Sequence, residues 1–291
     1  MKDVAFTNLE KPLWADGTTK GALIEYLIAI APVMLPHLAG RPLTLKRFPD
    51  GVEAKGFFEK NAPSHRPDWV ATATVTERDE AATYVVADRP ETLAWLGQLA
   101  AVEIHAPLAR ATSFDHPDLL VFDLDPGPPA TLDACLEVAV VLEALFGQLG
   151  LRSCPKTSGA KGLQVYVPID PTGVTFAETS GFAHEVAETL ELQLPDLVVS
   201  RQSKAIRGGK VLVDWYQNGR GRTTIAAYSA RPGPKPGVST PISWAELHAA
   251  RDAGDAERLR FGLSEAVGRV AQHGDLFAPC LEHTQRLPRL T

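Results

Sequence analysis

A chain of 291 residues, 45% hydrophobic and 22% charged, can bury one large core or two small ones and is too apolar for a disordered tail. Cys135, Cys154 and Cys280 are an odd, scattered set, which excludes a disulfide framework and a CxxC pair and reads as a reduced, cytoplasmic protein. The formal net charge of −6 argues against a chain that coats nucleic acid through bulk positive charge, so any such surface must be local.

In chain order, Met1 to Asn8 lacks the apolar core of a signal peptide. Residues 20–38 carry helical periodicity, opened by Thr18 and Thr19 and ended near Gly40. Glu25, Pro32, Pro36 and His37 interrupt the apolar run, so it is not expected to cross a membrane. Strand is expected at 43–48, followed by the turn Pro49, Asp50, Gly51, then at 83–87, with a helix over 90–101 and Pro90 in its first turn. The middle of the chain is clearer. Leu119 to Asp125 is an apolar strand stopped by Pro126 to Pro129, and Thr131 to Leu149 is a helix with apolar residues at i, i+3, i+4 spacing, ended by Gly150. Strands at 151–156 and 163–169 flank a turn, a second helix spans 176–191, and strands follow at 197–201, 211–217 and 223–229. The order β-α-β-β-α-β is that of an RRM-like sheet with helices on one face. Pro232 to Gly237 marks a subdomain edge, and Ser243 to Leu276 reads as helical.

Asp123 and Asp125 are the strongest local feature. Residues i and i+2 of a strand share a face, so two carboxylates stand together at the end of an apolar strand and repel unless a cation lies between them. Hard carboxylate oxygens suit Mg²⁺ or Mn²⁺. Alone, the pair also fits a strand end turning into solvent. Asp214, a single acid in the apolar run 211–215, changes the balance, because a lone carboxylate among buried residues needs a partner or a metal. If the two strands are neighbours, three carboxylates converge, as two-metal phosphoryl transfer requires. Ser158 to Gly162 offers turn N–H groups, a hydroxyl and Lys161 to an anion, without the spacing of a P-loop. Between Arg201 and Lys235 eight cations accompany one acid, Asp214, so that segment can face phosphates.

Together these residues resemble the archaeo-eukaryotic primase superfamily. The likeness is closer to the polymerase domain of bacterial ligase D of nonhomologous end joining, in its stand-alone form. It runs from about Phe6 beyond Arg231 and includes Leu43 to Gly51, Phe57 to Pro63, Glu103 to His105, Phe122 to Gly127 and Asp214 to Asn218.

The resemblance implies an α+β primase-polymerase fold, with an RRM-like mixed or antiparallel catalytic sheet flanked by helices and an N-terminal α/β module. The expected organisation is one domain over 1–291: a module at about 1–115 with a 5′-phosphate pocket, a catalytic module at 116–240 and a helical segment at 241–291. By the same resemblance, Asp123, Asp125 and Asp214 bind two Mn²⁺ or Mg²⁺ ions and are catalytic. Ser158, Lys161 and Arg231 hold the triphosphate, and His105 and Gln217 line the nucleotide site. Asn8, Lys11 and Lys20 form the pocket for a 5′-phosphate, Phe57 and Phe58 stack on the template, and Arg207 helps bring two broken ends together. Gln164 is a departure, since most of the superfamily has His there. Its amide can donate to a phosphate oxygen but carries no charge.

The implied activity is template-directed addition of NTPs, ribonucleotides preferred over dNTPs, at gaps and double-strand breaks. The implied partners are 5′-phosphorylated DNA, a separate DNA ligase and the Ku end-binding protein, and the implied place is the nucleoid in the cytoplasm. A non-catalytic end-binding module with a weakened nucleotide site is the alternative, and it predicts loss of a metal acid. A metal phosphoesterase on an unrelated α/β fold is a third reading, and it would need His-rich ligand sets.

Overall fold

The computed structural model describes residues 4–77 and 80–288. Its elements begin with α1 (Lys20–Leu38), β1 (Thr44–Arg47), β2 (Phe57–Glu59), β3 (Thr72–Glu77), β4 (Glu80–Val85), α2 (Pro90–Gln98), β5 (Ala101–Pro107), β6 (Leu119–Pro126), α3 (Leu132–Gln148), β7 (Cys154–Thr157) and β8 (Leu163–Pro168). They continue with α4 (Phe176–Gln193), β9 (Val198–Val199), β10 (Val211–Asp214), β11 (Thr223–Ile225), β12 (Ala230–Arg231), β13 (Gly237–Val238), α5 (Trp244–Ala253) and α6 (Leu263–His273). The chain forms two compact units. One contains the chain up to Phe114 with Thr223–Thr240 and Phe261–Asp275. The other contains Asp115–Arg222, Pro241–Arg260 and the chain from Leu276.

In the first unit Thr19 caps α1, its side chain accepting from Ala22 N at 3.2 Å. The helix runs through Pro32 and Pro36 without a break. Their missing N–H groups cost helix bonds, which complete burial of Leu23, Leu27, Ile30 and Met34 offsets. By length and composition α1 is long and apolar enough to cross a membrane. Its apolar face lies against α2, where Gly97 makes room: a Cβ there would stand 2.8 Å from Ile24.

The sheet of this unit has the order β11-β5-β1-β2, antiparallel throughout. Residues 223–225 therefore belong to this sheet and do not extend the central one. The strand β5 is not among the expected elements, although Glu103 and His105 alternate with Val102, Ile104 and Ala106, because it begins where the helix expected at 90–101 was to end. Of the β3–β4 hairpin only the second strand is foreseen. Pro232 to Gly237 includes the loop of a hairpin, since Ala230 pairs with Val238 and Arg231 with Gly237.

The second unit holds a sheet of order β7-β8-β6-β10-β9, antiparallel except for β10 with β9. The helices α3 and α4 both touch this sheet. Phe122 and Leu124 are fully buried, Phe122 lies 5.1 Å from Phe146 of α3, and Cys135 Sγ donates to Leu124 O. Strand alternation then turns Asp123 and Asp125 away from that packing. The expected strand 211–217 stops at Asp214, whose carboxylate accepts from Tyr216 N at 3.1 Å and caps a 3₁₀ turn over Trp215–Asn218. Asn218 is buried and pairs its side-chain amide with both backbone groups of Val121, at 2.8 and 2.7 Å.

Candidate active site

The register of the second sheet places Lys156 opposite Gln164, Gln164 opposite Asp123 and Asp123 opposite Asp214. Asp125 lies two residues along from Asp123 on the same face. Directly opposed side chains have Cβ atoms about 4.5–5.5 Å apart, and like charges in that relation destabilise a sheet. Burial, then the charges of Asp125 and Asp214, push the Asp123 carboxyl well above the usual carboxylate range, against a hydrogen bond from Gln164 and the charge of Lys156. Lys156 is fully buried, and its Nζ donates to Gln164 Oε1 at 2.5 Å. It escapes sequence reading because a lone lysine between Pro155 and Thr157 carries no pattern.

Asp214 is held by amides. Its Oδ1 accepts from Gln202 Nε2 at 2.7 Å and its Oδ2 from Gln217 Nε2 at 3.0 Å. Arg207 Nη2 donates to Gln202 O and Oε1 at 2.5 and 2.9 Å, which ties Arg207 to the same group. Among the described residues no three His, Cys, Asp or Glu side chains are drawn into one ion-holding cluster. Gly127 closes this side: a Cβ there would meet Arg207 O at 2.0 Å, so only glycine lets the 207 loop cross the end of β6.

The Ser158 to Gly162 turn joins β7 to β8. Ser158 Oγ accepts from Ala160 N at 3.2 Å and Gly162 N at 3.0 Å, so the hydroxyl shapes the turn. A Cβ on Gly162 would stand 2.2 Å from Leu124 O, so glycine there brings the turn against β6 near Asp125. Lys161 is exposed, and Arg260, unforeseen, donates to Ala160 O.

The first unit gathers a separate set on β5. Glu103 is 2% exposed and pairs with His105 Nε2 at 2.8 Å, Arg231 Nη1 at 3.4 Å and Lys46 Nζ at 3.6 Å. Burial favours the neutral acid, but the His105 hydrogen bond and the charges of Arg231, His105 and Lys46 more than reverse this and hold the carboxyl low. A lone acid in an apolar run is the signal that singled out Asp214, and it would also have found Glu103. The Arg231 Nε is buried with no acceptor. The Phe58 ring lies 5.7 Å from the His105 ring, and Phe57 and Phe58 are 45% and 61% exposed, unlike core phenylalanines.

Asn8, Lys11 and Lys20 meet at the start of α1. Lys11 N donates to Asn8 O, and Lys20 N donates to Lys11 O at 2.8 Å. Lys20 is buried, not a surface residue, and burial together with the Lys11 charge lowers its pKa. Asn8 has φ +52°, and Lys11 Nζ reaches Asp50 at 3.5 Å.

Known proteins decide which fold carries these groups. The LigD primase-polymerase domain family matches residues 19–277. The chain belongs to this family. It is 40% identical over 279 residues to the multifunctional non-homologous end joining protein LigD of Mycolicibacterium smegmatis, covering 95% of this chain and 36% of that protein. The bifunctional LigD of Bacillus subtilis is 32% identical over 284 residues, 97% of this chain and 45% of its own. The chain thus spans less than half the length of these relatives. The polymerase domain from Mycobacterium tuberculosis ligase D, solved in complex with DNA, superposes with a TM-score of 0.89 at 39% identity, over 97% of this chain and 99% of that one. The α+β primase-polymerase fold and a nucleotidyltransferase activity follow, and LigD primase-polymerase chemistry uses a divalent metal. The residues here fit such an ion. Asp123, Asp125 and Asp214 offer hard oxygen donors, and a cation would relieve the repulsion that lifts Asp123.

Proposed function

We propose that the chain extends the 3′ end of a nucleic-acid strand with nucleoside triphosphates at gaps and broken DNA ends, in non-homologous end joining. The observation that carries this is the register of Asp123 against Asp214, with Asp125 on the same face, in a LigD-family chain. The 3′-hydroxyl oxygen bonds to the α-phosphorus, the bond to pyrophosphate breaks with its electron pair, and the hydroxyl proton passes to water. A bound divalent metal supplies Lewis-acid stabilisation of the phosphoryl charge and lowers the pKa of the 3′-hydroxyl.

Asp123, Asp125 and Asp214 hold two ions in this reading, with Mn²⁺ favoured over Mg²⁺. In the second unit, the Ser158 hydroxyl proton and Lys161 bind phosphate oxygens, and Gln217 and Gln164 keep the acids oriented. In the first unit, Arg231 binds phosphate, and His105, steadied by Glu103, meets the nucleotide. Phe57 and Phe58 stack on template bases. Arg207 helps align two ends. Ribonucleotide preference, a DNA ligase, Ku and a place at the nucleoid complete the reading. Primer extension on a gapped duplex with NTP or dNTP, in Mg²⁺ and in Mn²⁺, tests it, and no incorporation under any condition would remove it.

The lysine pair at α1 suits the 5′-phosphate of a gap. Two cations whose charges oppose each other at a helix N-terminus are relieved by an anion. Lys11→Ala with Lys20→Ala is expected to erase the preference for a 5′-phosphorylated gap over a 5′-hydroxyl gap. The same pair should flatten the salt dependence of DNA binding by about 0.7–0.9 per lost contact. An intact phosphate preference in the double variant would remove the pocket from the model of action.

A further inference from the structure

A cleft of about 570 Å³ opens beside Asp214 in the second unit, lined by His184, Arg201, Trp215, Tyr216 and Arg222 as well as that acid. Three of its rings form a stack. The centroids of His184 and Trp215 are 3.9 Å apart and those of Trp215 and Tyr216 4.5 Å, with tilts of 33° and 38°. Trp215 Nε1 donates to Ser200 O at 3.0 Å, which fixes the middle ring. Tyr216 ends the stack and is 48% exposed, with the Arg222 guanidinium 5.9 Å from its ring centre. Arg201 adds a second guanidinium, paired with Glu191 at 3.0 Å. An exposed aromatic ring with cations at its rim is the chemistry that receives a nucleobase and its phosphate.

The register decides which nucleotide. The Ser158 to Gly162 turn lies on the β8 side of β6, at the Asp125 end. The cleft lies on the β9 side of β10, where the chain leaves Asp214, because β9 runs parallel to β10 and brings Ser200 and Arg201 to the same end. Turn and cleft are therefore diagonally opposed across the acids. In-line displacement sets nucleophile and leaving group on opposite sides of the phosphorus. If the turn receives the leaving pyrophosphate, the cleft faces the nucleophile. We propose that this cleft binds the 3′-terminal nucleotide of the strand being extended, its base on Tyr216 and its phosphate at Arg222. The assignment to that strand rests on the polymerase reading above, whereas the presence of a nucleotide in the cleft does not.

The test uses a gapped duplex whose primer ends in 2-aminopurine, with the wild type, Tyr216→Ala, Tyr216→Phe and Arg222→Ala. Stacking in the cleft quenches the terminal fluorophore without NTP. Tyr216→Ala is expected to lose that quenching and to raise KM for primer about tenfold, leaving KM for NTP in place, while Tyr216→Phe retains both. Arg222→Ala should lower the salt slope of primer binding by about 0.7–0.9. Quenching that persists in Tyr216→Ala, or a rise in KM for NTP instead of primer, overturns the assignment. A wild type that adds no nucleotide removes the polymerase reading, and the quenching comparison then still decides whether the cleft takes a strand end.

Discussion

Asp123→Asn is expected to abolish nucleotide addition while raising the thermal midpoint of the metal-free protein. Removing a metal ligand deletes several kcal/mol of transition-state stabilisation, which corresponds to a loss of about a thousandfold or more. The gain in stability follows from the charges. Burial and the neighbouring acids hold the Asp123 carboxyl above its unfolded value, so its ionisation opposes folding. That penalty is absent below the unfolded pKa and grows as pH rises toward the folded one, so a neutral amide removes it at neutral pH. Asp214→Ala should lose activity to the same degree but stability as well. Its carboxylate caps the turn at Trp215–Asn218 and accepts from Gln202 and Gln217, and loss of a cap costs about 1 kcal/mol. Asp125 is exposed, and its charge is among those that lift Asp123, so Asp125→Ala should lose activity and gain a little stability. Primer extension, DNA binding and thermal melts on the three variants check this together. Wild-type turnover in any one of them, or a fall in stability with Asp123→Asn, would break the three-carboxylate account.

The fold of the second unit was legible in the sequence because its signals are local. Apolar strands stopped by Pro126 and Gly127, and a helix with regular spacing ended by Gly150, need no distant partner to be read. The first unit was less legible. Strand β5 sets Glu103 and His105 in alternation with Val102, Ile104 and Ala106, but this short period-2 signal follows directly on the helix expected at 90–101 and was absorbed into its end. β11 is only three residues long and joins β5 more than a hundred positions back, and nothing in Thr223 to Ile225 announces that partner. Among site residues, the acids and glycines stood out by type and spacing. Lys156 did not, since what makes it notable is complete burial next to Gln164, a property of the packed sheet alone. Gln202 was likewise invisible, as its bond to Asp214 exists only once β9 lies along β10.

Gln164→Leu is expected to be among the most destabilising single changes in the second unit, and Gln164→His among the mildest. The Gln164 side chain is 98% buried in effect, with 2% of its surface exposed, and it joins two charges of opposite sign. Its Oε1 accepts from Lys156 Nζ at 2.5 Å, with Tyr166 OH at 3.4 Å, while the amide hydrogen-bonds Asp123. Hydrogen bonds to charged groups contribute about 1.5–3 kcal/mol each. Leucine fills similar space but returns neither bond, so the loss should be about 3 kcal/mol or more, read as a lower urea midpoint with an unchanged slope. The neutral imidazole has one acceptor and one donor nitrogen, the same pair of functions as the amide, so histidine can serve Lys156 with one and Asp123 with the other. Gln164 works between Lys156 and Asp123, and nucleotide binding should respond to it through the position of Asp123. In Gln164→Leu the apparent affinity for metal is expected to fall together with turnover, while Gln164→His at pH 8, where imidazole is neutral, keeps both. A leucine variant as stable and as active as the wild type would show that the row from Lys156 to Asp214 is not coupled through this amide.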